Sequence, residues 1–328
     1  MTEKNVVTAI HDTLHEQMAA DDRIVVLGED IAVRGGVFRV TEGFLQEFGE
    51  GRVIDTPLAE GLIAGLAAGM ALHGLRPVAE IEFADFIHPA FDQIVSEIAR
   101  MRYRSNGDFG LPLVIRVPWG GGIHGALYHS QSIEAFYGHV PGLKVVVPAT
   151  PYDASGMLRA AIRDPDPVMF LEHKRTYRLI KGEVPDEPFE VPIGKADVKR
   201  EGSDLTAIAY GLMLHVCLEA ATRLEEEHGI SVEVVDVRTI SPLDVETILS
   251  SVRKTGKAIV VYEDNRTYGA GAEIAATIAE DAMFDLDAPI VRIGGPDVPA
   301  MGFASAFEQA FLPDADRIAG HMLELARF

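Results

Sequence analysis

Three kinds of residue in this sequence could do chemistry: acids at the ends of apolar runs, a histidine in a polar loop, and a glycine cluster. Glu29 and Asp30 close the run VVLG, Glu60 opens an apolar helical stretch, and Glu80 and Glu82 punctuate VAEIEF. A carboxylate at the edge of an apolar environment suits proton transfer, because desolvation moves its pKa toward neutrality. For Glu60 a plain reading competes, that of complementing the dipole of the helix it begins. His129, in His129-Ser130-Gln131-Ser132, is either a proton-transfer group or a cap for the helix that follows. The loop Gly120-Gly121-Gly122-Ile123-His124-Gly125 lacks the Lys-Ser/Thr of a P-loop and the G-x-G-x-x-G spacing of a dinucleotide site. It reads as a turn that lets backbone approach a ligand or a neighbour, ahead of a phosphate cradle.

Several chemistries drop out. Among 11 histidines there is no helical H-x-x-x-H pair enclosing a glutamate, so a zinc hydrolase is not expected. No G-x-S-x-G elbow is present. Cys217 is the only cysteine and falls in an apolar helical pattern, which marks a core residue and leaves no disulfide framework.

The elements that must position the acids centre on residues 54–86. Gly61, Gly65 and Gly69 recur every four residues, with Ala64, Ala67, Ala68 and Ala71 between them. Glycine inside a helix costs roughly 1 kcal/mol against alanine, so three on one face call for close approach of another helix. That helix lies either within the fold or across a subunit boundary. The 12 residues from Gly61 to Leu72 fall short of the ~20 that span a membrane. Gly74 and Pro77 stop the helix. Residues 78–83 then alternate, with Ala79, Ile81 and Phe83 on one face and Val78, Glu80 and Glu82 on the other.

Val7, Ile10, Leu14 and Met18 predict a first amphipathic helix, and residues 24–27 a buried strand. Polar residues at such a strand's carboxyl end lie where open α/β sheets bind ligands. A helix over 41–48, a long helix carried by Phe91, Ile94, Val95, Ile98 and Met101, and strands over 111–117, 143–147 and 168–172 follow. Thr150-Pro151-Tyr152-Asp153 is a capping box with proline at the first helical position. Pro185, Pro188 and Pro192 among acids give 181–192 linker composition. Beyond it, strands over 205–210, 231–237, 258–263 and 290–293 alternate with helices. The expected fold is two mostly parallel-sheet α/β domains, over 1–180 and 199–328, joined by a linker at 181–198.

A formal net charge of −21 over 328 residues excludes a polyanion as partner, since phosphate binding needs clustered Lys and Arg. Arg100, Arg102 and Arg104 fit the end of a helix dipole instead. The segment MTEKNVVTAIHDTLHEQ has no apolar core of a signal peptide. A cytoplasmic chain with no membrane and no nucleic-acid partner is expected.

VVLGED at 25–30, DTPLAEGLIAG at 55–65, AEIEFADF at 79–86, HSQS at 129–132 and PGLKVVVPATPYDA at 141–154 occur in that order. Together they resemble the β subunit of the thiamine-diphosphate-dependent 2-oxoacid dehydrogenases, relatives of transketolase. The resemblance covers essentially the whole chain, matching a pyrimidine-binding domain and then a transketolase C-terminal domain. It implies that Glu60 hydrogen-bonds the aminopyrimidine ring of thiamine diphosphate and drives it to the imino form, which deprotonates the thiazolium carbon. A carboxyl doing so needs a raised pKa, which an alanine- and glycine-walled helix mouth would supply.

By the same resemblance Glu29 helps orient the site, Leu58 and Phe86 cradle the pyrimidine, and Glu82 stands where some members have glutamine. His129 matches a histidine near the reacting carbon. Leu113, Ala161, Ile162, Asp164 and Asp166 overlap a potassium site whose other members carry asparagine at the last position. The Gly-Asp-Gly segment and paired asparagines that hold magnesium diphosphate are absent from this sequence. An α subunit is therefore expected to complete the site, in an assembly of two α and two β chains docked on a dihydrolipoyl acyltransferase core. The implied reaction is oxidative decarboxylation of a 2-oxoacid with acyl transfer to lipoamide. GALYHSQS at 125–132 leans toward branched-chain substrates, with pyruvate or acetoin as alternatives. Rival readings are a self-sufficient transketolase, a non-catalytic scaffold and a nucleotide-binding oxidoreductase.

Overall fold

The computed structural model describes residues 1–328, which contacts divide into two units. One comprises residues 1–119 and 136–193, the other 120–135 and 194–328. In chain order the elements are β1 (Thr2–Asn5), α1 (Val6–Ala20), β2 (Ile24–Gly28), α2 (Phe44–Phe48), β3 (Val53–Asp55), α3 (Glu60–Leu72), β4 (Arg76–Glu80), α4 (Met101–Arg104) and β5 (Val114–Trp119). There follow α5 (Glu134–Gly138), β6 (Lys144–Val146), α6 (Pro151–Arg163), β7 (Val168–His173), α7 (Thr176–Leu179) and β8 (Lys181–Val184). The rest are β9 (Asp197–Arg200), β10 (Leu205–Ala209), α8 (Leu212–His228), β11 (Val232–Asp236), β12 (Thr239–Ser241), α9 (Val245–Thr255), β13 (Ala258–Asn265), α10 (Ala270–Asp281), β14 (Val291–Gly295), α11 (Ser305–Phe311) and α12 (Ala315–Ala326).

In the first unit the parallel strands run β6-β7-β5-β4-β2-β3. Every residue of β2, β5 and β7 is buried, as expected of a parallel sheet covered on both faces. Helix α1 buries Val6, Ile10, Leu14 and Met18 against Met157, Leu158 and Ile162 of α6, and the Thr13 and Ser155 hydroxyls bond at 2.7 Å within that contact. Thr150 accepts from the Asp153 N–H at 3.1 Å, closing the predicted cap of α6. In the second unit the order is β14-β13-β10-β11-β9, all parallel except β9. Cys217 is buried in α8.

Two local expectations need correction. Residues 78–83 do not alternate between core and solvent: Val78 through Phe83 are buried except Glu82, because both sheet faces are covered. The long helix after Pro89 is broken into a 3-10 turn at His88–Ala90, a π-helical stretch at Gln93–Ile98 and α4, although Ile94, Ile98 and Met101 are buried as their spacing demands. Arg102 and Arg104 lie in the last turn of α4, as expected of charges that complement its dipole, and they also pair with Asp166 and Glu97. The glycine face of α3 is approached, as expected, by other helical segments: the 3-10 turn at Gly61 and the π-helical stretch at Gly65. A Cβ on Gly61 would stand 3.3 Å from the Pro89 carbonyl, one on Gly65 3.7 Å from Gln93 Oε1, and one on Gly69 would meet nothing within 4 Å.

Candidate active site

Strands β3, β2 and β4 lie side by side and parallel, so their carboxyl ends open onto one edge. Glu29 and Asp30 follow β2, Glu82 lies two residues past the end of β4, and the chain leaving β3 enters α3 at Glu60. The connections are tight. Gly28 lies opposite Asp55 on one side and Glu80 on the other, and a Cβ there would stand 2.7 Å from the Glu80 carbonyl oxygen. Thr56 N–H donates to the Gly28 carbonyl at 2.9 Å, and the Asp55 carboxylate accepts from Ala32 N–H at 2.6 Å, fixing the loop behind Glu29.

Glu29, Glu60 and Glu82 are brought together without a cation between them. Burial, then Asp30 and Glu60, push the Glu29 carboxyl up. Glu82 rises further, from 4.5 to about 7, by burial and then by the charges of Glu29, Glu80, Asp30 and Glu60. The carboxyl raised toward neutral pH is Glu82, just past the end of a strand, first by burial and then by crowding with like charge. Leu58 precedes α3 and is 71% exposed, and Phe86 is half-buried with its ring edge-on to Phe83 at 6.1 Å. Leu58, Leu62 and Leu66 form an outward apolar stripe at four-residue spacing beside the acids.

Beneath this cluster lies a network that sequence reasoning missed. Arg116 of β5 donates from Nε and Nη2 to Glu172 of β7 at 2.6 and 2.7 Å, and from Nη1 to Glu80 at 2.5 Å. Tyr177 donates to Glu172 at 2.5 Å. Burial works against the Arg116 charge, but Glu172 and Glu80 outweigh it and hold its pKa above the usual arginine range. The available signal was one arginine inside LVIRVPW and one glutamate inside VMFLEH, charges in strands otherwise apolar.

His129 lies in the other unit, half-buried in the loop over 120–131. The glycine loop before it holds no phosphate cradle open: its N–H groups are taken by carboxylates. Gly121 N–H donates to Glu263 at 2.5 Å, and those of Gly122 and His124 to Glu308 at 2.9 and 3.0 Å. Nearby, Glu134 is fully buried, accepts from Tyr210 at 2.9 Å, and is pushed well up by burial and by Asp264.

The potassium positions lie in the first unit. Both Asp164 oxygens accept from Lys144 Nζ at 2.6 Å, Asp166 pairs with Arg102, and the Ile162 carbonyl accepts from Arg76 at 2.7 Å. The Leu113 carbonyl accepts from Val168 N–H at 3.0 Å and that of Ala161 from Asp164 N–H at 3.3 Å. The two carboxylates are therefore spent on the chain's own cations, while the carbonyl oxygens each keep a second lone pair. No group of three or more His, Cys, Asp or Glu side chains is arranged to hold a metal ion, and no helix is long and apolar enough to cross a membrane.

Residues 2–180 match the family described as Transketolase, pyrimidine binding domain, and residues 194–318 match Transketolase, C-terminal domain. A domain pair of that kind, with acids gathered at the strand ends of the first, defines a transketolase-type chain. The chain is 55% identical over 328 residues, all of both chains, to the 2-oxoisovalerate dehydrogenase subunit beta of Bacillus subtilis (strain 168). It is 50% identical over 314 residues, 96% of each chain, to the pyruvate dehydrogenase E1 component subunit beta of the same organism. A solved split-gene transketolase, an inactive beta4 tetramer, superposes with a TM-score of 0.79 at 26% identity, covering 98% of each chain. The chain belongs to the family of 2-oxoacid dehydrogenase β subunits, oxidoreductases built on transketolase domains.

Proposed function

We propose that this chain is the β half of a thiamine-diphosphate-dependent 2-oxoacid dehydrogenase that decarboxylates a branched-chain 2-oxoacid and transfers the acyl group to lipoamide. The observation that carries the reading is the convergence of Glu29, Glu60 and Glu82 beyond three adjacent strands, close enough that Glu29 and Glu60 both raise the Glu82 carboxyl. Identity to the 2-oxoisovalerate enzyme over the whole chain favours the branched-chain substrate over pyruvate. In this reading the first domain spans 1–180, a connecting segment 181–198 and the C-terminal domain 199–328.

When bound, thiamine diphosphate supplies a nucleophilic carbon and an electron sink for decarboxylation. Glu60 hydrogen-bonds the pyrimidine ring, Leu58 and Phe86 flank that ring, and Glu29 and Glu82 place negative charge beside it. Glu82, its carboxyl pushed up to about 7, can hold or release a proton at working pH. His129 orients or protonates the substrate carbonyl. The pyrimidine end fits the residues present, whereas the strand ends offer only acids to a diphosphate. Magnesium and diphosphate are therefore held mainly by an α subunit, and the stripe Leu58, Leu62 and Leu66 is the surface that receives it. Two α and two β chains would dock on an acyltransferase core, to which this acidic subunit offers charge complementary to a basic module. A potassium ion at Leu113, Ala161, Ile162, Asp164 and Asp166 would be held through backbone carbonyls, since both carboxylates are paired.

Calorimetric titration of thiamine diphosphate and magnesium into the purified chain tests the half-site. No binding alone, restored by an α partner, is the expected result. Tight one-to-one binding to the lone chain would replace this reading with a self-sufficient transketolase.

A further inference from the structure

The loop over 120–131 is built in an unfavourable backbone. Gly120 and Gly122 have φ of +83° and +80°, and His124 and Ala126, which carry side chains, have +57° and +54°. Left-handed conformations at residues with a Cβ persist only where surrounding contacts over-determine them. Five contacts do so here. Gly120 N–H donates to the Gln131 carbonyl at 3.1 Å, closing the base of the loop. Gly121 N–H donates to the buried Glu263 carboxylate at the end of β13, and a Cβ at Gly121 would stand 2.5 Å from the sulfur of Met301. The remaining contacts all come from one side chain. Glu308 Oε1 accepts from the Gly122 and His124 N–H groups at 2.9 and 3.0 Å, and its Oε2 lies 2.9 Å from His124 Nδ1. Glu308 is 4% exposed on α11, so the carboxylate has exchanged water for this loop. Charge-assisted bonds to backbone N–H groups are the stronger kind, and two from one carboxylate fix orientation as well as distance.

We infer that Glu308 is a positioning residue for His129. It acts through the loop: at Gly125 a Cβ would stand 2.7 Å from the His129 Cβ, so the turn held at Gly122–His124 runs directly against His129. The inference rests on the reading of His129 as a group that meets substrate. Glu308 touches no reacting atom; it fixes the place from which His129 acts. The glycines of the loop serve this arrangement, since a side chain at Gly121 or Gly125 would displace Met301 or His129.

The test uses the full chain assembled with its α partner and compares Glu308→Ala, Glu308→Gln and His129→Ala. Hydrogen exchange of the segment over 119–131 and steady-state kinetics are read together. Losing charged hydrogen bonds predicts about tenfold faster exchange at Gly122 and His124 in Glu308→Ala, with β10 and β13 unchanged. Misplacing His129 predicts a kcat about tenfold lower with KM for the 2-oxoacid within about twofold. Glu308→Gln, whose carbonyl oxygen still accepts, should recover most of both. Unchanged exchange in Glu308→Ala overturns the inference, as does faster exchange with kcat intact, which would make Glu308 a structural cap alone. Full kcat in His129→Ala overturns the reading of His129, and with it the positioning role, whatever the exchange shows.

Discussion

Glu80 and Glu82 stand two residues apart where β4 runs out, yet one is enclosed with a guanidinium and the other faces acids. Glu80 shares Arg116 with Glu172 in a closed network whose members are all buried and hydrogen-bonded. Glu82 is half-buried, and its neighbours Glu29, Asp30 and Glu60 carry the same charge. The first arrangement offsets the desolvation of each ion, and removing one partner strands the others. The second leaves charge uncompensated, which a fold bears only at some cost to its own stability. The contrast separates acids paired within the sheet from acids left without a cation, which the proposed function assigns to a ligand.

The largest effect should come from breaking the open cluster at Glu60, the residue that the proposed function makes catalytic. Glu60→Ala in the assembled enzyme is expected to lower 2-oxoacid-dependent lipoamide acylation by about 10²–10⁴-fold, the range for a lost proton-transfer group. The melting temperature should hardly move, because Glu60 is partly exposed and no cation depends on it. Full activity in that variant would make the chain a scaffold and dissolve the contrast. The closed network predicts the reverse pattern. Arg116→Met leaves Glu80 and Glu172 buried without a cation, Glu172 keeping only the Tyr177 hydroxyl, a loss of about 3–5 kcal/mol that denaturant unfolding would measure. If the variant unfolds at the same denaturant concentration as the parent, the network is not what stabilises the sheet.

Glu82 supplies a pH signature. Its carboxyl releases a proton near 4.5 in the unfolded chain and only at about 7 in the fold. The unfolded state is therefore favoured increasingly as pH rises from about 4.5 to about 7, and the penalty is constant above that. Glu82→Gln removes it, so the variant should melt above the parent at about pH 8 and with it at about pH 4. A difference that does not change with pH would mean that Glu82 is not the group raised by its neighbours.

What was legible in the sequence follows the same division. Glu29, Glu60 and Glu82 could be found because each closes an apolar run or opens a helical one, and parallel α/β topology gathers such ends on one edge. The Thr150 cap and the buried stripe of α1 were equally local signals. The network of Arg116 was not legible as a unit, since its members come from three strands and a helix brought together only by sheet order. β1 and β8 escaped for a similar reason. They are polar four-residue strands that pair antiparallel with each other across the whole first unit, and each alone reads as chain terminus or linker. The carboxylates of Glu263 and Glu308 were invisible as clamps, because nothing local ties them to a glycine loop more than 100 residues earlier.

The smallest effect lies at the glycines of α3, where position decides the sign. Gly61 and Gly65 have an inward neighbour, so alanine at Gly61 must displace the Pro89 carbonyl slightly and should leave stability about level. Gly69 has open space where its Cβ would be. Gly69→Ala should therefore stabilise the lone chain by up to about 1 kcal/mol, the helix-propensity difference between the two residues. A stabilising substitution at an open position is informative because only a partner can object to it. If the α subunit approaches α3 closely there, the added methyl should weaken assembly, measured as a higher dissociation constant by sedimentation, while the β chain itself melts later. Later melting with unchanged assembly would move the α contact away from Gly69 and leave the stripe of Leu58, Leu62 and Leu66 as its only expected footing on this helix.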